Sequence, residues 1–325
     1  MTPRRPRLFL IDGSSYIYRA FFALPPTVNS AGCPTNAIYG FINFMLNLLK
    51  RHQPEYLAVV LDAGRETFRN QIFADYKSNR REAPASLIPQ LPYIRRTLEA
   101  LDALTIELQG YEADDLIGTL CATLCHEGCD LIVVSSDKDL MQLVTDEIRL
   151  FDSMKERWIG MREVITRFGV EPHRVSEVLG LMGDAVDNIP GVKGIGEKTA
   201  VALMQYFRDL DDLYENLEQL QQTNLRGIAR LREALQNGRE TAFLSRELAT
   251  IKRNVPIQIH LEQLRFNGPK RAKLRTLFNE LEFNNLVQLL DHGVDFTNDR
   301  GLTRLPDKPI PKQNVSLQLD LFSWK

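Results

Sequence analysis

The stretch "GYEADDLIG", residues 110–118, places Glu112, Asp114 and Asp115 within four positions. Like charges this close repel, and burying them is costly unless something positive compensates. More acids occur at comparable places. The runs "LFLID", "YLAVVLD" and "DLIVVSSD" end at Asp12, Asp62 and Asp137, and "SSDKDL" adds Asp139. "LMGDAVDNIPG" adds Asp184 and Asp187, three apart and on one face if the segment is helical. A lone aspartate after a strand is ordinarily a turn former or cap, and acids at a helix start are favoured by its dipole. Three strand ends in succession and a triple cluster exceed those roles. The motifs contain no histidine or cysteine. All-oxygen donors suit a hard divalent cation, Mg²⁺ or Mn²⁺, over zinc. One ion cannot offset nine charges, so two or more are expected. Paired ions on carboxylates serve phosphodiester hydrolysis, and their presence would explain why the repulsion is tolerated.

Short apolar, β-rich runs must deliver these acids. Between them lie helical patterns such as "NAIYGFINFMLNLLKR" and "ADDLIGTLCATLCHE". Strands alternating with helices predict an α/β fold with a mostly parallel central sheet flanked by helices. Ligands of such sheets sit beyond the carboxyl ends of the strands, where the aspartates stand.

The bulk composition agrees. The 325 residues are 44% apolar and 25% charged, values of a globular chain large enough for two domains. No apolar run approaches the roughly 20 residues of a membrane span. The N-terminus "MTPRRPRLFLIDGSS" reads as a strand with a basic lead-in, not a secretory signal. Cys121, Cys125 and Cys129 lie beside His126, yet Cys121 and Cys125 continue an apolar helical face. They read as core residues in a reducing, cytoplasmic setting, in preference to a metal site. Setting the nine carboxylates aside turns the formal charge of −2 into +7, which suits a polyanionic partner.

Two stretches could grip that partner. "GVKGIGEKTA", residues 191–200, has no preceding strand and the wrong glycine spacing for a dinucleotide loop. Its Gly191, Gly194 and Gly196, flanked by Lys193 and Lys198, could expose backbone N–H groups and a helix N-terminus to phosphate. A plain helix–turn–helix connection is the alternative. In "FRNQIFADYKSNRREAPASLIPQL", Arg69, Lys77, Arg80 and Arg81 surround Tyr76 before a proline-interrupted segment. That is either a solvated charged helix or a mobile element for single-stranded nucleic acid.

Taken together, "DGSSYIYRAF", "ADYKSNR", "GYEADDLIG", "SSDKDLMQL" and "LMGDAVDNIPGVKGIGEKTA" closely resemble the 5′ nuclease (flap endonuclease) family. The nearest form is the N-terminal 5′→3′ exonuclease domain of bacterial DNA polymerase I, and the resemblance runs from about Leu8 to Leu290. It implies a two-metal nuclease that trims 5′ flaps and RNA primers in replication and repair, on nicked, gapped or flapped DNA. It also implies a helical arch at about 70–95 and a helix–three-turn–helix module. By resemblance, Asp12, Asp62, Glu112 and Asp114 would hold one metal. Asp137, Asp139, Asp184 and Asp187 would hold the other, with Asp115 nearby. Tyr76 and Lys77 match the base of the arch, Arg19 matches a phosphate contact, and the hairpin at 191–200 would carry a K⁺ on backbone carbonyls. The expected organisation is a nuclease core at 1–168, a helical DNA-binding region at 169–292 and a flexible tail at 293–325. A PIN-like ribonuclease shares the acidic α/β site, but the basic segment and "GVKGIG" favour DNA junctions. A catalytically dead binding protein would be expected to have lost carboxylates, and all nine are present.

Polymerase I continues into further domains, whereas this sequence ends at Lys325, as either a stand-alone nuclease or a fragment. Its tail is proline-broken and polar, then closes with "QLDLF", Gln318, Leu319, Asp320, Leu321 and Phe322. An apolar tail docking on its own domain is one reading. The pentapeptide also looks like those with which bacterial replication proteins bind the sliding clamp.

Overall fold

The computed structural model describes residues 5–291, so "QLDLF" lies outside the described residues. A six-stranded sheet ordered β3-β2-β1-β4-β5-β6 forms the centre. Its strands are β1 (Arg7–Asp12), β2 (Tyr56–Val60), β3 (Leu104–Ile106), β4 (Asp130–Val134), β5 (Ile148–Asp152) and β6 (Arg157–Ile159). All pairings are parallel except β5 with β6. The strands read from Asp12, Asp62 and Asp137 are β1, β2 and β4, side by side in the middle. Chain order departs from β1 to β2 on one side and returns as β4 on the other. The β1/β4 boundary is therefore a topological switch point, where a crevice opens at the carboxyl edge.

The helices are α1 (Gly13–Ala23), α2 (Asn36–His52), α3 (Phe68–Ile72), α4 (Leu91–Leu101), α5 (Ala113–Leu124), α6 (Met161–Phe168) and α7 (Val175–Met182). Then follow α8 (Glu197–Tyr206), α9 (Leu210–Glu215), α10 (Ile228–Asn237), α11 (Arg239–Ala249), α12 (Arg271–Glu280) and α13 (Asn284–Asp291). Alternation along each strand divides them between two faces. Leu8, Leu10, Ala58, Val60, Leu131 and Val133 pack with Leu116 and Leu120 of α5 and with Val178, Leu203 and Leu248 beyond residue 169. Phe9, Ile11, Leu57, Val59, Ile132 and Val134 pack with Ile38 and Phe41 of α2, Leu98 of α4 and Phe278 of α12. Apolar cover on both faces explains why the strands read as continuous hydrophobic runs.

One expectation is refined and one corrected. The described residues beyond 169 are helical as expected, but they do not stand apart from the sheet. Helices α7, α8 and α11 share one continuous core with the sheet, and α12 and α13 cross to its opposite face. The segment at 70–95, expected as a helical arch, is helical only at its two ends: residues 73–87 form turns and irregular chain between α3 and the 3₁₀ turn Ile88–Gln90, which leads into α4. Pro84, Pro89 and Pro92 withhold amide donors there, and Pro89 and Pro92 instead occupy the first positions of short helices.

The loop after α7 needs glycine for two distinct reasons. Gly183 (φ +70°) and Gly191 (φ +62°) lie in the left-handed region and cross each other closely. A Cβ on Gly183 would stand 2.5 Å from the Ile189 carbonyl oxygen. Gly194 (φ +88°) has open space around it. Gly183→Ala should therefore cost more than about 3 kcal/mol of stability, whereas Gly194→Ala should cost about 1 kcal/mol, from backbone strain alone. Urea unfolding of both variants checks the difference.

Candidate active site

Each acidic side chain is set by the element that carries it. Asp12 ends β1 and caps α1: its Oδ1 accepts from the Ser15 N–H (3.2 Å) and its Oδ2 from the Ser135 hydroxyl (2.7 Å). The second bond spans the β1/β4 switch point. Asp62 follows β2, and its Oδ1 accepts from the Ala113 N–H at the start of α5 (2.8 Å). Glu112 is the N-cap of α5, with Asp114 in its first turn. Asp137 accepts from the Asp139 N–H (2.9 Å). Asp184 and Asp187 stand in a tight turn, not on one face of a helix. The Asp184 and Ile189 backbones exchange hydrogen bonds across it (2.9 and 2.8 Å).

Asp12, Asp62, Glu112, Asp114, Asp137 and Asp187 line one cleft of about 270 Å³, with Tyr76, Lys77 and Arg80 on the facing wall. Lys77 reaches Glu112 Oε1 at 2.6 Å and Asp187 Oδ2 at 3.5 Å. The buried Tyr76 hydroxyl donates to Glu112 Oε2 (3.1 Å). Arg80 pairs with Asp187, and Lys138 bridges Asp184 and Asp139. The turn bearing Tyr76 and Lys77 is laced to the 184–188 loop: the Lys77 N–H donates to the Asp187 carbonyl (3.0 Å) and the Asn188 amide to that of Asp75 (2.7 Å).

Electrostatics split the cluster. Burial pushes Asp12 up to about 7, with neighbouring Asp137 and Asp62 adding to it. It pushes Asp139 to about 8 with help from Asp137, and raises Asp114 and Asp62. For Asp187, burial is outweighed by Lys77 and Arg80, which hold it at about 2. Lys77 and Arg69 likewise hold buried Glu112 below its ordinary range. Glu112 and Asp187 are thus neutralised by the protein's own cations, whereas for Asp12, Asp62, Asp114 and Asp139 burial outweighs the positive charge and hydrogen bonds nearby. Among the described residues no three acidic, histidine or cysteine side chains are gathered as a ready ion cage. The donors nonetheless fit a hard cation: they are all carboxylate oxygens, burial holds Asp12, Asp62, Asp114 and Asp139 above their ordinary range, and the buried Asp139 Oδ1 has no hydrogen-bond partner.

Asp115 does not join them. It is fully buried and takes a fork from Arg69, Nη1 at 2.7 Å and Nη2 at 2.8 Å. It also accepts from the backbone N–H groups of Lys252 (2.9 Å) and Glu112 (3.2 Å). This corrects both its assignment to metal and that of Arg69 to DNA, because Arg69 is 2% exposed. Arg69 also donates to the carbonyls of Leu248 (2.8 Å) and Thr250 (2.9 Å) and to Glu112 Oε2 (3.4 Å). Gly191 is corrected too: it is buried, and its N–H is spent on the Ser245 hydroxyl (2.9 Å). Gly194, Gly196, Lys193 and Lys198 are exposed at the hairpin, and Arg81 is exposed. Arg19, half-buried on α1, has an Nε without a hydrogen-bond partner.

Sequence reading passed over Ser135, Lys138 and Arg65. The first two lie inside "SSDKDL", where only the acids drew notice. Exposed Arg65 lines the cleft and donates to the Arg80 carbonyl (2.7 Å), a contact that spacing does not announce.

Residues 7–169 match the family model "5′-3′ exonuclease, N-terminal resolvase-like domain", and residues 170–272 match "5′-3′ exonuclease, C-terminal SAM fold". A 5′-3′ exonuclease of Aquifex aeolicus is 38% identical, over 91% of this chain and 99% of its own. DNA polymerase I of Bacillus subtilis is also 38% identical over 95% of this chain, which spans only 35% of that polymerase. A flap endonuclease of bacteriophage T5, described in complex with DNA and metal ions, is similar in fold. Its TM-score is 0.61 at 20% identity, covering 88% of this chain and 98% of that one.

The Arg69–Asp115 pair is sealed from solvent, so removing one partner strands a buried charge. Arg69→Met should destabilise the protein by about 3–5 kcal/mol. Chemical unfolding measures this, and a loss under about 1 kcal/mol would show that the pair is not a structural anchor.

Proposed function

Because the chain belongs to the 5′-3′ exonuclease family, we propose that it is a structure-specific 5′ nuclease that hydrolyses phosphodiester bonds at 5′ ends and flaps. The observation that carries this reading is the meeting of clustered carboxylates with the Tyr76–Lys77 turn at the β1/β4 switch point. Asp12, Asp62, Glu112 and Asp114 would hold one divalent ion, and Asp137, Asp139, Asp184 and Asp187 a second. Mg²⁺ or Mn²⁺ suits these oxygen donors. Such ions, when bound, supply an activated water and charge stabilisation for in-line displacement.

The chain's own groups do the rest. Tyr76 orients Glu112 through its hydroxyl. Lys77 presents an ammonium to the cleft, where a phosphate would draw it from Glu112 and Asp187. Its backbone sits at φ +55°, a strained conformation that the bonds to the 184–188 loop hold in place. Arg19 has guanidinium capacity left for a phosphate, and Arg81, exposed next to Arg80 in the chain, offers a second contact. The exposed amides and lysines of residues 193–198 suit the backbone of duplex DNA, with a K⁺ on the hairpin carbonyls. Substrates would be 5′ flaps, nicked or gapped duplex and RNA primer–DNA junctions in replication and repair. No described helix is long and apolar enough to cross a membrane, and a cytoplasmic site of action goes with this reading.

Two experiments test the proposal. On a 5′-flap duplex, wild type should cleave with Mg²⁺ and stop with chelator. Lys77→Ala should lower the single-turnover rate by about 10²–10³-fold while flap binding persists. Metal-independent cleavage, or an unchanged rate for Lys77→Ala, would refute the assignment. The second concerns recruitment, for which the Gln318–Phe322 pentapeptide is the proposed anchor on a sliding clamp, with the linker giving reach. A peptide of residues 313–325 should bind the clamp. Leu321→Ala combined with Phe322→Ala should abolish that binding and leave flap cleavage intact.

A further inference from the structure

Lys138 sits within the sequence of the acids it neutralises, between Asp137 and Asp139. Its ammonium donates to Asp184 Oδ2 and stands 3.5 Å from Asp139 Oδ1, the buried oxygen without a hydrogen-bond partner. The other Asp184 oxygen is committed to the Val186 N–H (2.9 Å), so the oxygen that Lys138 takes is the one the backbone leaves available. The amine thus joins acids from two elements, the 3₁₀ turn Asp139–Leu143 and the loop after α7. Unlike Lys77, it does not line the cleft of Asp12 and Glu112, and neither do Asp139 and Asp184. Its side chain is 32% exposed, and a flexible four-carbon stem lets the amine leave toward solvent without moving backbone.

We propose that Lys138 is a resident counter-ion that competes with a divalent cation for the Asp139–Asp184 pair and so weakens that cation's binding. The inference rests on the metal reading above. A single ammonium charge holds the two acids in register without metal, and yields when a doubly charged ion with several coordination positions arrives. Binding of that ion is an exchange of cations, so its affinity is lower than the acids alone would give.

The test is calorimetric titration of the purified full chain with Mn²⁺, for wild type and Lys138→Met, paired with thermal melts in chelator and in saturating Mn²⁺. Removing the competing charge should tighten the weaker Mn²⁺ site about tenfold, within the range usual for coupled binding. Lys138→Met should melt lower than wild type in chelator, and the gap should close in Mn²⁺. A merely structural lysine would lower both melts equally, and that result would overturn the inference. Unchanged or weaker Mn²⁺ binding by Lys138→Met would overturn it as well. Wild type that binds no Mn²⁺ would instead refute the metal reading itself. If Lys138→Met does not fold in chelator, Lys138→Gln is titrated in its place, with the same two outcomes deciding.

Discussion

Negative charge buried at the carboxyl edge of the sheet is the constraint to which the rest of this structure answers. Two like charges 4 Å apart repel by about 4 kcal/mol at an effective dielectric constant of 20, and the cleft gathers acids from β1, the chain after β2, the start of α5, the chain after β4 and the loop after α7. The fold meets the cost in different ways. Asp115 is neutralised by a forked arginine, Glu112 and Asp187 by Lys77 and Arg80, and Asp184 by Lys138. Asp12 and Asp139 are left with raised proton affinity. That last group is where charge from outside the chain has most to offer.

The same neutralising groups hold the architecture together. Arg69 lies on α3, grips α5 through Asp115 and takes the carbonyls that end α11. One guanidinium therefore joins the acidic helix start to the helices beyond residue 169, which share their apolar core with the sheet. The hairpin loop is joined as tightly. Asp184 and Asp187 lie on the segment that continues into Lys193 and Lys198, and that segment is bonded to the turn bearing Lys77. The glycine–lysine segment is thus tied to the cleft through its own backbone.

Much of this was legible in the residues. The strand-ending aspartates, the parallel sheet and the acid-rich helix start follow from local patterns with short physical reach: apolar runs, turn chemistry and helix caps. The types of donor also follow, since carboxylates without histidine or cysteine restrict the metals they suit. The glycine–lysine run announced a turn between helices, and α7 and α8 flank it.

Tertiary structure decided which charge meets which. Nothing in "EADD" marks Asp115 as the acid that turns inward. Its fate depends on Arg69, 46 positions away, and on the Lys252 amide, 137 positions away. Arg69 looked like its basic neighbours and proved to be core. Gly191 looked like a phosphate donor and proved to be a packing point. The proline-rich stretch after Arg81 read as part of an arch and lies as turns. The division of the helices between two sheet faces was equally hidden, because amphipathic periodicity gives a helix a buried side and does not say against what. Local chemistry fixes elements and residue types, whereas the pairing of distant charges is settled only when the chain closes and desolvation makes each unpaired ion costly.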